Sequence, residues 1–349
     1  MKMSRKIRVL VVDDSAFIRR ALISIFDGHP QIQIVDVAAD GEMAVLLVQK
    51  QRPDVVTLDI RMPVLDGLSA LQIIMRECPT PVIMLSSRAE RGGENSIKAL
   101  ELGAVDFIDK SSAGGAMEIA GLARELAEKI LVAARVDVHK LQSGGDDNET
   151  AASTGTLSIT RSTEVVLIGT STGGPPALLQ ILGKLPADFP CPILIVQHMP
   201  VGFTTSLAER LNRNCALVVK EAAEGERIMA GVAYLAPAGK HMKLIRSGRH
   251  LHIRFDLSPG NALHRPSVDA LFESAAAACG NNVLAFVLTG MGKDGAEGSQ
   301  AIKKAGGRIV VESEETSIVF GMPKAVMEKI TVDADLPLYD IPEALMKMI

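Results

Sequence analysis

Two groups of residues have types and spacing that could support chemistry, and the first is acidic. Asp13 and Asp14 follow one apolar run, Asp59 follows another, and Lys110 follows a third. Carboxylates that meet at one place repel one another unless a cation binds them, and oxygen ligands of this kind suit Mg²⁺. The Lys110 ammonium and the Ser86 hydroxyl would then suit a phosphoryl group. Each Asp taken alone could equally cap the helix that follows it.

The second group is built around a serine. Ser171 lies in Gly169-Thr170-Ser171-Thr172-Gly173-Gly174, directly after the apolar run Val165–Ile168. A serine on a tight strand-to-helix turn exposes its hydroxyl above a sheet, and the helix N-terminus favours developing negative charge. The alternative is a phosphate-binding loop, although the segment has neither the Lys-Ser/Thr of a P-loop nor GxGxxG.

A nucleophilic serine needs a base, and the base needs an orienting carboxylate. His198 follows the apolar run Ile193–Val196 and is the best-placed histidine for this role. His241 and His264 fall in predicted loops and stay open as alternatives, whereas the other four are less well placed: His29, His139, His250 and His252. Asp294 follows Val283–Leu288 in a glycine-rich turn, where it could orient His198 or be an ordinary turn residue.

These residues require elements that bring them together. Five apolar runs alternate with helical patterns in the first part of the chain, which is typical of strands buried in a parallel sheet. The runs are Ile7–Val12, Ile32–Val37, Val55–Leu58, Val82–Leu85 and Val105–Ile108. Because the carboxyl ends of parallel strands face one crevice, the acidic residues and Lys110 should converge there.

A second alternating pattern follows, and it predicts a second sheet. Its strand candidates are Val165–Ile168, Ile193–Val196, Leu217–Val219, Ala233–Leu235, Val283–Leu288 and Ile309–Val311. Met242–Ile245 and Leu251–Phe255 flank a turn and predict a β-hairpin. The fold class is therefore α/β, with two doubly wound parallel-sheet domains, the first flavodoxin-like and the second Rossmann-like with a hairpin insertion.

The domain boundaries follow from a change of composition. Residues 142–156 consist of Gly, Ser, Thr, acids and little that could be buried, which indicates a flexible linker. We place the first domain at residues 6–130, the linker at 131–160 and the second domain at 161–349.

Composition excludes several classes of protein. The net charge is −4, with no Trp and two Tyr, which argues against a nucleic-acid-binding protein. The four cysteines are far apart in the chain, which disfavours a zinc ribbon or disulfide framework and favours a reducing cytosol. No apolar stretch approaches the ~20 residues that span a bilayer. We therefore expect a soluble, cytoplasmic protein without membrane insertion.

The first part of the chain resembles a response-regulator receiver domain. The resemblance rests on VVDDS, LDIRMPVLDGL, IMLSS and GAVDFIDK, in that order. It implies that Asp59 accepts a phosphoryl group from a sensor histidine kinase and that Mg²⁺ is held by Asp13, Asp14, Asp59 and the Arg61 carbonyl. It also implies that Ser86 and Lys110 contact the phosphoryl group and that Phe107 occupies the aromatic switch position. Ser111 and Ser112 follow Lys110, where the family usually carries Pro.

The second part resembles the CheB-type chemotaxis protein-glutamate methylesterase domain. The matching segments are GTSTGG, QHMP, GFTTSLAERLN, LAPAGKHM, HRPSVDALF, LTGMGKDGAEG and FGMP. The resemblance implies hydrolysis of γ-glutamyl methyl esters on chemoreceptor helices, often with deamidation of receptor glutamines, and a CheA-type kinase as phosphodonor. Ser171 would be the nucleophile, His198 the base and Asp294 the orienting carboxylate. The Met291 backbone N–H would be an oxyanion donor, with no cofactor in the esterase site.

The resemblance also implies regulation, because in that family the unphosphorylated receiver covers the esterase cleft. Two alternatives stay open. One is a phosphorylation-dependent binding protein with an inactive esterase site, which the presence of Ser, His and Asp together disfavours. The other is an enzyme that acts on a different ester.

Overall fold

The computed structural model describes residues 5–86, 93–110, 116–142, 163–258 and 264–349. The chain divides into two compact units, Met1–Gly144 and Gly145–Ile349. Helices continue into the predicted linker, to Ala133 and again over His139–Gln142, and residues 143–160 of that linker lie outside the described residues. Ser111 and Ser112 lie outside them as well. Within the described residues no helix has the length and apolar character needed to cross a membrane.

The first unit contains a five-stranded parallel sheet in the order β2-β1-β3-β4-β5. Its strands are β1 (Ile7–Val12), β2 (Ile32–Ala38), β3 (Val55–Asp59), β4 (Val82–Ser86) and β5 (Asp106–Asp109). Its helices are α1 (Ala16–Phe26), α2 (Gly41–Gln51), α3 (Gly67–Glu77), α4 (Glu94–Glu101) and α5 (Ala116–Ala133), followed by the short α6 (His139–Gln142). This strand order is that of flavodoxin-like proteins, so the predicted fold is confirmed.

Local sequence explains these elements. All residues of β3 and β4 are buried, as continuous Val, Ile and Leu runs require in a parallel sheet. Two of the helices illustrate polar caps: the Asp40 carboxylate accepts from the Met43 N–H of α2, and the Asp66 carboxylate accepts from the Ser69 N–H of α3.

The second unit contains a seven-stranded parallel sheet in the order β14-β13-β12-β6-β7-β9-β8. Its strands are β6 (Val165–Thr170), β7 (Ile193–Gln197), β8 (Val218–Glu221), β9 (Val232–Leu235), β12 (Val283–Val287), β13 (Arg308–Glu312) and β14 (Ala334–Leu336). A separate antiparallel hairpin is formed by β10 (His241–Ser247) and β11 (His250–Asp256). Its helices are α7 (Gly174–Leu182), α8 (Thr204–Asn214), α9 (Val268–Cys279), α10 (Ala296–Lys304), α11 (Met322–Lys329) and α12 (Ile341–Met348). The predicted parallel sheet and hairpin insertion are both confirmed.

Two parts of the second unit differ from the sequence prediction. His241 is not in a loop: it is the first residue of β10, is buried, and pairs with Asp256 across the hairpin. The strand β14 and the helix α11 were not predicted, because three residues at a sheet edge and eight residues of mixed polarity give no clear period.

The sheet order decides where the candidate catalytic residues meet. The strand β6 lies between β12 and β7, and Ser171, His198 and Asp294 each follow one of these three strands. The chain leaves β6 toward β7 and returns to its other side at β12, so the strand order reverses here. Crevices at such reversals are the usual binding sites of open parallel sheets.

Candidate active site and phosphorylation site

The first unit brings its acidic residues and Lys110 together. The Lys110 Nζ lies 2.7 Å from Asp59 Oδ2 and 3.1 Å from Asp13 Oδ2. Asp13 and Asp59 are buried, whereas Asp14 is exposed. One carboxylate oxygen from each of the three Asp residues lies within 4.8 Å of the other two. The acidic cluster predicted from the strand ends is therefore present.

Burial and charge shape the electrostatics of this cluster. Burial raises the pKa of Asp59 to about 6, although the contact with Lys110 opposes the rise. Burial alone would lower the pKa of Lys110, but the hydrogen bond and the charge of Asp59 outweigh it and the pKa is raised. The Asp59 Oδ1 is buried and has no hydrogen-bond partner within the described ranges. A buried carboxylate oxygen without a partner, beside two further carboxylates, fits a Mg²⁺ ion.

The other predicted receiver residues lie at the end of β4, in β5 and in the loop after β3. Ser86 ends β4 and is buried, and its Oγ accepts a hydrogen bond from the Ser96 Oγ of α4 at 2.8 Å. Phe107 is buried in β5, where the Lys129 Nζ lies 5.9 Å from the ring centroid. Arg61 is exposed in the loop after β3.

The nucleophile turn of the second unit is held by backbone hydrogen bonds. The Ser171 N–H donates to the Thr289 carbonyl at 3.1 Å, and the Gly174 N–H donates to the Ser171 carbonyl at 2.9 Å. Gly173 has a φ of +81°, a left-handed conformation that favours glycine, and α7 begins directly after it. Ser171 is half-buried and lies directly after β6, a central strand. This is the strand-to-helix turn that the sequence predicts.

His198 and Asp294 are in direct contact. The His198 Nε2 lies 2.7 Å from Asp294 Oδ2, and both side chains are largely buried. The His264 ring stacks on the His198 ring with 4.3 Å between centroids and 17° between planes. The His198 Nδ1 is buried and lacks a hydrogen-bond partner within the described residues, so it does not reach Ser171 in this structure. Bonds between nucleophile and base are often long in ligand-free sites.

Asp294 is fixed from several sides. Its Oδ2 accepts from the Val268 N–H at 2.7 Å, and its Oδ1 accepts from the Asp269 N–H at 3.0 Å and from the Ser267 Oγ at 2.9 Å. Burial alone would raise the pKa of Asp294, but the contact with His198 and the backbone N–H groups hold it well below its usual range. Asp294 is therefore ionised at neutral pH, which an orienting carboxylate requires.

The Met291 backbone lies beside the nucleophile turn. A Cβ on the preceding residue, Gly290, would lie 2.8 Å from the Ser171 Cβ, so the two segments touch. The Gly290 N–H donates to Val319, while the Met291 N–H donates to no acceptor in the part of the chain that the structure describes. A backbone N–H without an acceptor beside a nucleophile suits a developing oxyanion.

Three residues that the sequence reasoning missed also build this site. Gln197 is buried, and its Nε2 donates to the carbonyls of Ser171 and His198. Ser267 and Asp269 contact Asp294. The position of Gln197 directly before His198 was a readable signal, whereas the other two lie in a segment whose approach to Asp294 only the folded structure reveals.

Each of the two units matches a known protein family. Residues 166–345 match the family described as CheB methylesterase, and residues 9–120 match the response regulator receiver domain. The chain belongs to the CheB methylesterase family. This CheB-family chain carries the receiver domain ahead of the methylesterase domain, the arrangement that its motifs indicate.

Relatives of this CheB-family chain match it from end to end. A protein of Oceanobacillus iheyensis named protein-glutamate methylesterase/protein-glutamine glutaminase is 45% identical over 99% of each chain. A protein of Bordetella parapertussis with the same name is 44% identical over 98% of this chain and 97% of its own length. The crystal structure of the Thermotoga maritima CheB methylesterase catalytic domain is 44% identical, with a TM-score of 0.53, and covers 54% of this chain and 100% of its own.

Proposed function

We propose that this protein is a serine esterase that hydrolyses glutamate γ-methyl esters on the cytoplasmic helices of chemoreceptors and that phosphorylation of its receiver domain activates it. The observation that carries the proposal is the His198–Asp294 contact beside the Ser171 turn, at the ends of three adjacent strands. Residues 161–349 carry the esterase, residues 6–130 carry the receiver, and residues 131–160 join them.

The first half of the reaction forms an acyl-enzyme. The Asp294 carboxylate accepts a hydrogen bond from the Nε2–H of His198 and stays ionised, so that the proton remains on Nε2. The Nδ1 lone pair then takes the proton of Ser171 as its Oγ attacks the ester carbonyl. The Met291 N–H donates to the tetrahedral oxyanion. When the intermediate collapses, the Nδ1 proton passes to the leaving methoxide, so that methanol departs and the acyl group stays on Ser171.

The second half repeats these steps with water. The His198 Nδ1 takes a proton from water as its oxygen attacks the acyl carbon, and returns it to the Ser171 Oγ as the glutamate carboxylate leaves. A glutamine side chain enters the same sequence with ammonia as the leaving group, which accounts for deamidation. These residues supply nucleophile, base and oxyanion donor, so in this proposal the esterase site takes no cofactor.

The receiver accepts a phosphoryl group on Asp59. Asp13, Asp14, Asp59 and the Arg61 carbonyl would hold Mg²⁺, and the ion would supply positive charge that offsets the carboxylates and the incoming phosphoryl group. Lys110 and Ser86 contact the phosphoryl oxygens. The Ser86 Oγ accepts from the Ser96 Oγ, which leaves the Ser86 O–H to donate to a phosphoryl oxygen.

The proposed phosphodonor is a sensor histidine kinase of the CheA type, since a receiver domain is the acceptor of such kinases. The proposal places the protein in the cytoplasm, where the kinase and the receptor helices are accessible.

The test is release of methanol from a methylated receptor cytoplasmic fragment. Wild type and Ser171→Ala are compared with and without a small phosphodonor, and Ser247→Ala, an exposed serine at the hairpin turn, is the matched control. We expect release from wild type and Ser247→Ala, a rise with phosphodonor, and a loss of at least about 10³-fold in Ser171→Ala.

Two results would contradict the proposal. Release of methanol from Ser171→Ala at the wild-type rate would show that Ser171 is not the nucleophile. Absence of release from wild type would favour a binding protein or another substrate. A rise in methanol release with phosphodonor that persists in Asp59→Asn would contradict activation through Asp59 and leave the esterase assignment intact.

A further inference from the structure

The turn that carries Asp294 and the helix α9 exchange hydrogen bonds, and each supplies a carboxylate acceptor to the other. The carboxylate of Asp294 accepts the backbone N–H groups of Val268 and Asp269, in the first turn of α9. In the opposite direction, the Oδ1 of Asp269 accepts the N–H of Gly295 at 2.9 Å and that of Gly298 at 2.7 Å, at the start of α10. Each of the two helices is thus capped by a carboxylate from the other segment.

The cap on α10 comes from outside that helix. The Gly295 N–H donates to Asp269 Oδ1 at 2.9 Å and also to Asp294 Oδ1 at 3.1 Å, whereas the Gly298 N–H donates to Asp269. The N-cap residue of α10 is Gly295, which has no side chain to accept an N–H. Asp269 supplies this acceptor from a separate helix, and Gly295 is the residue next to Asp294 in the chain. The bond from Gly295 to Asp269 therefore fixes the backbone that carries the Asp294 side chain.

Close packing leaves this arrangement little freedom. A Cβ at Gly298 would lie 2.5 Å from the Phe272 Cβ and 3.0 Å from the Asp269 Cα, so α9 and α10 touch at that glycine. The Asp269–Gly298 bond lies at the same point of contact. A shift of α10 against α9 would break both caps together and move Asp294 away from His198.

From this geometry we infer that Asp269 is a positioning residue of the esterase, which acts on His198 through Asp294. The inference rests on the proposed function. Asp269 touches no reacting atom. Its carboxylate locks the turn 293–295 so that Asp294 Oδ2 stays 2.7 Å from His198 Nε2.

The pKa values of Asp269 and Asp294 agree with a positioning role for Asp269. Burial, and then the neighbouring negative charge of Asp294, raise the pKa of Asp269 to about 7, while that of Asp294 is held low. Two adjacent carboxylates avoid double ionisation when one keeps a proton. Here Asp269 is the group that keeps the proton more readily, and Asp294 carries the charge that orients His198.

The experiment uses the full chain and two substitutions of Asp269. Asp269→Ala removes the acceptor, whereas Asp269→Asn keeps an oxygen for both N–H groups and resembles the protonated acid. Asp333→Ala is the matched control, since Asp333 also accepts a backbone N–H in this unit, that of Ile309, but does not contact Asp294. Methanol release gives kcat and KM, and the rate of Ser171 labelling by a fluorophosphonate gives the reactivity of the nucleophile.

We expect Asp269→Ala to lower kcat and the labelling rate by at least tenfold with KM within twofold. Asp269→Asn should recover kcat to within threefold of wild type, and Asp333→Ala should leave both rates unchanged. If Asp269→Ala does not fold, Asp269→Ser replaces it, because a short hydroxyl keeps the polarity without reaching both N–H groups.

The inference is overturned if folded Asp269→Ala retains the wild-type kcat, or if Asp269→Asn is as slow as Asp269→Ala. The proposed function fails separately, when wild type releases no methanol or Ser171→Ala releases it at the wild-type rate in the same assay.

Discussion

The Nε2 of Gln197 donates a hydrogen bond to the backbone carbonyl of Ser171 at 2.9 Å. The same nitrogen donates to the His198 carbonyl at 3.0 Å. One buried amide thus connects the turn of the nucleophile to the turn of the base, and neither bond involves the reacting side chains. A backbone bond from the His198 N–H to the Thr170 carbonyl joins the same two segments, and we expect the amide to help set the spacing between the turns.

Gln197→Met tests this expectation, because Met has a similar length and no donor. Two part-buried carbonyls lose a hydrogen-bond donor, so we expect a loss of about 1–3 kcal/mol in the free energy of unfolding. We also expect kcat for methanol release to fall by about 10-fold or more, as misplaced catalytic groups typically cause. Kinetics and urea unfolding measure the two effects.

Tyr234→Phe is the control for this prediction. It removes one buried hydrogen bond of the same unit, from the Met229 N–H to the Tyr234 hydroxyl, away from the catalytic turns. It should reduce stability and leave kcat unchanged. Equal kcat in Gln197→Met and wild type would show that the amide only stabilises the fold.

Gly290→Ala should impair catalysis by steric contact. The added Cβ would lie 2.8 Å from the Ser171 Cβ and 2.4 Å from the Met322 Sδ, so either the serine or α11 must move. We expect kcat to fall by at least about tenfold. Gly280→Ala is the control, because its Cβ would meet nothing within 4 Å while its φ of +58° is unfavourable for Ala. That variant should lose about 1 kcal/mol of stability and no activity, and a full kcat in Gly290→Ala would contradict the steric argument.

Asp59→Asn should stabilise the receiver at neutral pH. Folding raises the pKa of Asp59 from 3.8 to about 6. The group therefore contributes fully to stability below pH 3.8, where it is protonated in both states. That contribution is lost as the pH rises through about 6. The shift corresponds to a loss of about 3 kcal/mol. Thermal unfolding at pH 5 and pH 8 should show a gain for Asp59→Asn that is larger at pH 8.

Mg²⁺ should offset the negative charge of Asp59 and so stabilise the folded receiver. Mg²⁺ at pH 8 should raise the melting temperature of wild type by several degrees and that of Asp59→Asn much less, because ligand binding stabilises the folded state. An equal rise in both proteins would place the ion elsewhere. Asp54→Asn, which alters a carboxylate of this unit outside the cluster, is the control and should respond as wild type does.

Asp269 should give the catalytic unit a similar pH dependence. Its pKa is raised from 3.8 to about 7, so its contribution to stability is present below pH 4 and is lost as pH rises through 7. The groups that face it are Asp294 and the N–H groups of Gly295 and Gly298. Asp269→Asn should flatten the decline of stability between pH 5 and pH 8, as urea unfolding can show. An unchanged slope in that variant would assign the decline to other groups.

The catalytic and phosphorylation residues could be predicted because each follows an apolar run in the chain. Asp13, Asp59, Ser171, His198 and Asp294 stand where a buried strand ends, and strand ends of parallel sheets converge. The order of the strands in the second sheet was not readable, and it is this order that places β12, β6 and β7 side by side.

The residues that hold these groups could not be predicted in the same way. Asp269 reads as an ordinary acidic residue in the first turn of α9, and only the approach of α10 turns it toward Gly295 and Gly298. The apolar run Met242–Ile245 predicts a hairpin strand that leaves His241 in the preceding loop, whereas pairing with β11 extends the strand to that residue. Interactions between distant segments decide both cases.

The order of the strands along the chain has a consequence for synthesis on the ribosome. His198 and Asp294 are 96 residues apart in sequence, and β12 inserts beside β6 only after β7, β8, β9 and the hairpin have been made. A nascent chain therefore carries its serine and histidine for several seconds before their carboxylate emerges, at about 5–20 residues per second. The esterase cannot act on a receptor before the whole central part of its sheet is complete.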